Sequence, residues 1–366
     1  MRLAPVIATL ALVACSGQDP VLGLEGPRSG GLIFVRQAGG GSDLARARLS
    51  DGAVVSVRRT PDRKERWPYW SDAAQRVAFL SRAYDSRDPH MDVQLWDPVS
   101  GVEVALTPTP DRDERWPTWS PVAPHLVYVF RRHRGASGLV RYDVETGKTT
   151  PLARTSPLDL YLRPAFSPDG RRLVAQRRTG PDSAARLWIL EPGRDPQPLP
   201  YVAGAMDTKA RFTRDGSRIL FTHRIAEGGP RRLLRVDPAT SVVEPMASHP
   251  ESDDHSAWPS PTRDEISFIS DRDGSRDVFL LEEGGTPRNV TRSPEWDEGA
   301  PIWSPDGERL VVLRFPPRNG REGTLDPAAL RLLVIDRQGR ALFETQGQMA
   351  DWMPAWPGPD AAQPAQ

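Results

Sequence analysis

TPDRKERWPYWS (residues 60–71) and TPDRDERWPTWS (residues 109–120) are two copies of one segment, 49 residues apart. The two copies differ at only two positions. Self-similarity at a fixed period of roughly 20–50 residues is the signature of a repeat architecture. The last aromatic residue of each copy therefore serves as an anchor for finding further repeats.

Weaker copies of the segment continue through the rest of the chain. The seven anchors are Trp70, Trp119, Phe166, Phe212, Trp258, Trp303 and Trp356, at spacings of 49, 47, 46, 46, 45 and 53 residues. Three short apolar segments separated by turns follow each anchor except Trp356, and no stretch shows the 3.6-residue period of an amphipathic helix. The sequence therefore predicts an all-β fold with four short strands in each repeat, the anchor strand included.

Four-stranded repeats of this length predict a seven-bladed β-propeller of antiparallel blades. The first three strands, in residues 31–58, have no anchor before them, and the last anchor, Trp356, has no strands after it. Joining the two ends gives a mixed blade that closes the ring and leaves no exposed sheet edge. We expect the anchor rings to pack in a ring-shaped core around the axis rather than to do chemistry, since each aromatic ring buries about 150–250 Å².

The composition excludes several classes of protein. Lys plus Arg and Asp plus Glu both total 48, so the net charge of zero favours no nucleic acid partner. A single cysteine excludes an internal disulfide framework. The chain has no GxSxG elbow, P-loop or GxGxxG motif, and so predicts neither a cofactor nor an enzyme of those classes.

The N-terminus reads as a secretion signal. A basic start is followed by twelve apolar residues, 3–14, which are too few to span a bilayer and fit a signal-peptide core. The run ends in Leu-Val-Ala-Cys15, which resembles the lipobox of bacterial lipoproteins. The resemblance implies cleavage after residue 14, lipidation of Cys15 and an outer-membrane lipoprotein facing the periplasm or the cell surface. The alternative is a plain secretory signal with an incidental cysteine. Residues 15–30 show little apolar periodicity, which predicts a flexible tether between the lipid and the domain.

The repeat resembles that of the TolB-type propeller family. Trp303–Gly307 (WSPDG) and Ser270–Phe279 (SDRDGSRDVF) carry the resemblance, which covers residues 31–357 and leaves a disordered tail over 358–366. TolB also has an N-terminal α/β domain, for which there is no room before residue 31. The resemblance therefore implies the propeller fold and, more weakly, a protein-binding role.

Six of the seven residues that stand five positions before an anchor are acidic. The seven are Glu65, Glu114, Tyr161, Asp207, Asp253, Glu298 and Asp351. This position leads into the innermost strand, so the carboxylates are predicted to circle one mouth of the central channel, where they would attract a cation or a basic segment. The alternative is that each carboxylate accepts hydrogen bonds from backbone N–H groups or from arginine and fixes an interblade loop.

Four tryptophans and two arginines fall in the same connections between blades. They are Trp67, Trp116, Trp296, Trp352, Arg66 and Arg115. Aromatic and arginine side chains on a propeller rim are typical anchors for a protein or glycan partner. The alternative is that the tryptophans wedge between blades beside the prolines that follow two of them.

A possible metal site remains in one loop. His249 and His255 bracket Glu251, Asp253 and Asp254, but such a cluster is more often solvated, and we expect no metal there. Oligogalacturonate lyases have similar repeats and hold a metal in the channel through several histidines. In this register only His255 is close to the channel.

The sequence thus predicts a lipid-anchored envelope protein with a monomeric propeller that serves as a scaffold for protein–protein interaction, without enzymatic activity. The alternative is a periplasmic polysaccharide-binding protein, or an enzyme like oligogalacturonate lyase with a metal in its channel.

Overall fold

The computed structural model describes residues 30–38, 41–57, 60, 62–84, 90–106, 112–132, 137–154, 159–180, 184–200, 206–226, 228–247, 249–317 and 326–354. These residues form 28 β-strands and one 3-10 helix, η1 (Pro327–Ala329). The all-β prediction is confirmed.

We number the blades in chain order from β4 (Arg63–Ser71) and call the blade that holds both ends of the chain blade 7. In blades 1 to 3, the first strand is the innermost one. Blade 7 begins with β1 (Gly31–Ala38), β2 (Gly41–Arg48) and β3 (Val54–Ser56); blade 1 is β4 (Arg63–Ser71), β5 (Arg76–Ala83), β6 (Asp92–Trp96) and β7 (Glu103–Ala105); blade 2 is β8 (Arg112–Trp119), β9 (His125–Arg132), β10 (Ser137–Asp143) and β11 (Thr149–Arg154); and blade 3 is β12 (Asp159–Phe166), β13 (Leu173–Thr179), β14 (Arg186–Leu190) and β15 (Gln197–Pro198).

The second half repeats this order. Blade 4 is β16 (Met206–Phe212), β17 (Ile219–Arg224), β18 (Arg231–Val236) and β19 (Val243–Met246); blade 5 is β20 (His255–Pro259), β21 (Glu265–Ser270), β22 (Asp277–Glu282) and β23 (Arg288–Asn289); blade 6 is β24 (Asp297–Trp303), β25 (Arg309–Phe315), β26 (Arg331–Asp336) and β27 (Ala341–Gln346); and β28 (Gln348–Met353) returns to blade 7.

The ring closes through a mixed blade. Strand β28 pairs antiparallel with β1, with Trp352 opposite Leu32 and Asp351 opposite Ile33, and β1 continues through β2 to β3. The backbone N–H of Trp70 in blade 1 donates to Oδ2 of Asp351 over 2.8 Å, which joins the two ends of the ring. The predicted mixed blade is confirmed.

The hydrophobic core is divided among the seven interfaces between blades. Successive residues of β5 show how: Val77 and Phe79 pack against blade 7, whereas Ala78 and Leu80 pack against blade 2. Both faces of each blade are therefore buried, which is why the second strands read as unbroken apolar runs rather than as alternating patterns. The expected single ring of anchor side chains is wrong, because the apolar residues pack between blades instead.

A β-bulge recurs at one position of every innermost strand. Pairing with the second strand shifts there, and one residue in each bulge has the left-handed backbone conformation. These residues are Trp67, Trp116, Arg163, Lys209, Ser256, Ala300 and Met349, with φ between 47° and 57°. A positive φ is uncommon outside glycine. Its recurrence in all seven blades makes it a feature of the architecture.

The bulges fix the true register of the repeat. The residue three positions after the bulge is Trp70, Trp119, Phe166, Phe212, Pro259, Trp303 or Trp352. The predicted anchors Trp258 and Trp356 are therefore wrong: Pro259 holds the anchor position of blade 5, and Trp352 holds that of blade 7. Trp356 itself lies outside the described residues.

Three anchor indoles also join neighbouring blades. Nε1 of Trp119 donates to the Tyr69 carbonyl over 2.8 Å, and Nε1 of Trp303 donates to the Trp258 carbonyl over 3.1 Å. The Trp352 indole makes the same bond to Ile302 over 3.0 Å. These three anchors therefore do more than fill the core, since each also ties its innermost strand to the innermost strand of the preceding blade.

Several predicted segments fall outside the described residues. They are the signal over 1–14, Cys15 with all but the last residue of the tether, and the tail over 358–366. Their boundaries stay predictions. No helix in the part of the chain that the structure describes has the length and apolarity needed to cross a membrane.

Candidate functional site

A cavity of about 500 Å³ lies on the propeller axis and is lined by all seven innermost strands. Its walls come from the bulge residues and from the residues one or two positions after them. The bulge turns these side chains toward the axis, as bulges near active sites commonly do. We call this cavity the channel.

One side of the channel is aromatic. The bulge residues of blades 1 and 2, Trp67 and Trp116, line it. Trp67 also packs on the core between blades 1 and 2, and Trp116 on the core between blades 2 and 3. Both indoles therefore fill the clefts between blades, as the wedge alternative requires, and still present a surface to the channel.

The next arc of the channel wall is positively charged. Arg163 of blade 3 and Lys209 and Arg211 of blade 4 line it, and we call these three residues the cationic arc. The Arg211 guanidinium lies over the Trp258 ring, 3.4 Å from its centroid. Among the described residues, no hydrogen bond or ion pair engages the guanidinium groups of Arg163 and Arg211. Their donor groups are thus available to a ligand.

Burial and mutual repulsion act on the cationic arc. Burial, together with the positive charges of Arg163, Arg231 and Arg211, lowers the pKa of Lys209 to about 8. Burial likewise lowers the pKa of Arg211 to about 10. The lowered pKa values show that the charged forms of these side chains destabilise one another, because water screens their repulsion only weakly inside the channel.

Blade 5 adds a hydroxyl group that two basic side chains contact. Nζ of Lys209 donates to Oγ of Ser256 over 2.6 Å, and Nδ1 of His255 lies 2.7 Å from the same oxygen. Burial lowers the pKa of His255 well below its ordinary value, and the charges of Arg231 and Lys209 act in the same direction. His255 is therefore neutral at physiological pH.

Asp351 is the carboxylate in the channel wall. Its two oxygens accept the backbone N–H groups of Trp70 and Trp352, over 2.8 and 2.9 Å. Burial raises the pKa of Asp351 to about 7 in spite of these bonds and of Arg211. The predicted position of Asp351 in the carboxylate ring is wrong, because it stands one residue before the anchor Trp352 rather than five.

An apolar side pocket opens from the channel between blades 6 and 7. The bulge residue of blade 6 is Ala300, which is too small to fill the cleft that Trp67 and Trp116 fill in their blades. The cavity consequently extends past Ala300 to Val311, Leu313 and Leu332. We call this extension the side pocket.

The predicted carboxylate ring lies at the joints between blades. In the corrected register its acidic members are Glu65, Glu114, Asp207, Asp254 and Glu298, all at most 6% exposed, and we call them the joint carboxylates. Asp254 takes the place predicted for Asp253, which instead pairs with Arg231. None of the five lines the channel.

The joint carboxylates bond to their surroundings in the way the alternative prediction described. Glu65 accepts the backbone N–H of Leu44, in the preceding blade, over 2.8 Å. Glu298 accepts Oγ of Ser293 over 2.7 Å and Nε of Arg314 over 3.0 Å. Burial nevertheless raises the pKa of Glu298, because these bonds offset only part of the desolvation.

The other joint carboxylates have their own partners. Oδ1 of Asp207 lies 2.7 Å from Nδ1 of His223, and burial raises the pKa of Asp207. Asp254 accepts Oγ of Ser252 over 2.9 Å and the Arg272 guanidinium over 3.0 Å. The backbone also joins the blades here, since the N–H of Glu114 donates to the Met91 carbonyl over 2.9 Å. This position therefore holds the blades together.

The predicted rim residues are not gathered on one surface. Trp67 and Trp116 line the channel, whereas Trp352 is 3% exposed at an anchor position and Trp296 lies in the turn before β24. Nε of Arg115 lies 2.9 Å from Asp113. Burial lowers the pKa of Arg66, and Arg82 and Arg115 add to the shift.

Sequence reasoning missed the cationic arc and the side pocket. Both could have been found from the position that Trp67 and Trp116 hold in the repeat, three residues before the anchor. Arg163 and Lys209 hold the same position in blades 3 and 4. In the residues that the structure describes, no three His, Cys, Asp or Glu side chains are grouped so that they could hold a metal ion.

No family model matches the chain, and no curated protein matches it by sequence. Among solved structures, TolB from Acinetobacter baumannii is similar with a TM-score of 0.53 and 17% identity, covering 88% of this chain and 82% of that chain. The fold is a TolB-like β-propeller.

Two enzymes share the same fold. An oligogalacturonate lyase in complex with manganese has a TM-score of 0.59 at 15% identity, covering 78% of this chain and 82% of that chain. A prolyl endopeptidase has a TM-score of 0.66 at 16% identity, and 89% of this chain matches 49% of that chain. This chain thus spans about half of the endopeptidase, and at these identities the likeness shows the fold alone.

Proposed function

We propose that the protein is a binding module of the cell envelope, without enzymatic activity, that engages a protein partner through the channel. The observation that carries this proposal is the lining of the channel. Partly buried tryptophans, arginines that have no hydrogen-bond or ion-pair partner among the described residues, and an apolar side pocket meet in one cavity. Tryptophan and arginine are the residue types that contribute most to the affinity of protein interfaces.

The proposal includes the lipid anchor. The lipobox-like sequence before Cys15 supports attachment to the outer membrane, and two or more acyl chains suffice for stable anchoring. We expect Cys15→Ala to abolish lipidation and to move the protein from the membrane to the soluble fraction. Retention in the membrane fraction after this change would point to another anchor.

Ala300→Trp tests the channel as the binding site. Blades 1 and 2 already hold tryptophan at the equivalent position with the same backbone conformation, so this variant should fold while it fills the side pocket. Val99→Trp is the matched control, because Val99 is 53% exposed in a turn of blade 1 that does not line the channel.

The measurement is chemical cross-linking in intact cells, followed by mass spectrometry of the captured proteins. We expect a discrete protein to be captured by the wild type and by Val99→Trp but not by Ala300→Trp. Equal capture by all three would place the interface elsewhere. Capture of no protein by any of them would overturn the protein-binding role and favour the polysaccharide alternative, which the tryptophan faces also suit.

A further inference from the structure

We propose that the occupant of the channel is an acidic peptide segment, with one carboxylate held by the cationic arc and a neighbouring apolar side chain held by the side pocket. This inference rests on the proposed function and specifies the chemistry of the partner.

Positive charge exceeds negative charge in the lining of the channel. Three cationic side chains, Arg163, Lys209 and Arg211, line the cavity together with one carboxylate, Asp351. Of the neighbouring charges, Arg231 is already paired with Asp253. In a narrow cavity with low-dielectric walls, such an excess of positive charge attracts anions strongly. A carboxylate bound there relieves the repulsion among the three cations.

The cationic arc also supplies hydrogen-bond donors to the channel. An arginine side chain carries five N–H donors in a planar fork that fits a carboxylate in bidentate geometry. Stacking on Trp258 holds the Arg211 fork in place before a ligand arrives. Lys209 donates one of its three N–H bonds to Ser256, which leaves two for a ligand. The donors are thus in position and point to an acceptor that carries two oxygens.

The side pocket favours a peptide over an acidic polysaccharide. Val311, Leu313 and Leu332 offer carbon surface and no polar side-chain atoms. A buried sugar hydroxyl without a hydrogen-bond partner costs free energy, whereas an apolar side chain gains from the same surroundings. The combination of an anionic subsite and an aliphatic pocket therefore fits a peptide with acidic and apolar residues close together.

The test uses two sets of acetylated and amidated hexapeptides. Each peptide of the first set contains one Leu and one Glu at separations of one to four residues, with Gly and Ser elsewhere, and the second set replaces Glu with Gln. Binding is followed by the fluorescence of the channel tryptophans and by calorimetry. We expect at least one Glu peptide to bind with a dissociation constant of about 1 mM or tighter. Its Gln counterpart should bind about tenfold more weakly or worse.

Arg163→Gln provides the matched test on the protein side. Arg163 is exposed to the channel, so this variant keeps the fold, and it should weaken binding of the Glu peptide about tenfold while leaving binding of the Gln peptide unchanged. Arg171→Gln, which removes an exposed arginine outside the channel, should change binding by less than about twofold.

Two outcomes would overturn the inference. One is that no Glu peptide binds at up to about 10 mM, or that the Glu and Gln peptides bind equally well. The other is that oligogalacturonate, used as the acidic polysaccharide probe, binds more tightly than any peptide and depends on Arg163. If the peptide preference fails while Ala300→Trp still abolishes capture of a protein, the channel remains the interface and only its acid recognition is wrong.

Discussion

The joint carboxylates and the cationic arc occupy positions of the repeat that are only two to four residues apart, yet their environments are opposite. Glu298 is 1% exposed and its oxygens accept bonds from Ser293 and Arg314. Arg163 faces the channel with no such bond in the described part of the chain. A buried charge must be paired to be tolerated. An unpaired charge at a cavity wall is available for binding.

The joint carboxylates and the cationic arc therefore have different tasks. Losing a joint carboxylate should destabilise the propeller, whereas losing a cation of the arc should alter binding and leave stability nearly unchanged. Asp351 belongs to neither set but shares a feature with each, because it lines the channel and also accepts the N–H of Trp70 across the ring closure.

The largest effect is expected from removing the closing strand. Deletion of residues 348–366 takes away β28 and with it the pairing to β1 and the bond from Trp70 to Asp351. Because the seven interfaces form one ring, this deletion should leave the protein without a cooperative thermal transition in circular dichroism. A chain that ends at Pro354 keeps all of β28 and should melt like the full-length protein. Similar melting of both truncated chains would refute the role of β28.

Glu298→Ala should cost about 3–5 kcal/mol of unfolding free energy, because it removes the buried carboxylate that accepts Nε of Arg314 and Oγ of Ser293. Urea unfolding measures the loss. The control is Glu308→Ala, which removes an exposed carboxylate that pairs with Arg263 and should cost less than about 1 kcal/mol. Comparable losses in the two variants would mean that the joint carboxylates are not structural.

Asp351→Asn should alter the pH dependence of stability. The pKa of Asp351 in the folded protein is raised to about 7 from an ordinary value of 3.8, so the folded state holds the proton more tightly than the unfolded state. The resulting stabilisation is fully present below pH 3.8 and is lost as the pH rises to about 7. The wild type should therefore lose up to about 4 kcal/mol relative to the variant over this range.

Urea unfolding between pH 4 and pH 8 checks this change. Asp215→Asn is the control, because hydrogen bonds from Ser217 and Thr213 lower the pKa of Asp215 to about 2. The stability that Asp215 contributes is lost only as the pH falls toward that value. Above pH 4, the stability of this variant should therefore change with pH in the same way as that of the wild type. Parallel curves for the wild type and Asp351→Asn would contradict the burial of the carboxyl group.

Arg163→Gln should have the smallest effect on stability, within about 0.5 kcal/mol, because its guanidinium is exposed to the channel. Urea unfolding measures this effect beside the peptide titration. A loss as large as that of Glu298→Ala would show that the cationic arc holds the fold together, and the contrast between the two regions would disappear.

The repeat period gave the propeller, the blade number and the mixed closure, because four strands at a fixed spacing and a missing first anchor leave few other arrangements. The exact position of the anchor in each repeat was harder to predict from the sequence. The anchor position of blade 5 holds Pro259, which is not aromatic, so Trp258 was chosen instead. In blade 7, Trp356 was mistaken for the anchor, which is Trp352, four residues earlier. The bulge residues range from Trp67 to Ala300, so no residue type reveals the left-handed conformation.

The candidate site was harder to predict for a related reason. Residues that the architecture demands recur from blade to blade, as the joint carboxylates do, and recurrence made them prominent in the sequence. Residues that differ among equivalent positions, such as Arg163, Lys209 and Ala300, give each part of the channel its own chemistry. A search for repeated residues passes over such differences.

The most direct test of the channel as the interface is photo-cross-linking in intact cells from a benzoylphenylalanine that replaces Trp116, compared with the same side chain in place of Val99. Trp116 lines the channel, so this change keeps an aromatic side chain there and leaves the side pocket at Ala300 open. Val99 lies in an outer turn and is 53% exposed. The account predicts a discrete protein adduct from residue 116 and none from residue 99. No adduct from residue 116, or the same adduct from both positions, would contradict it.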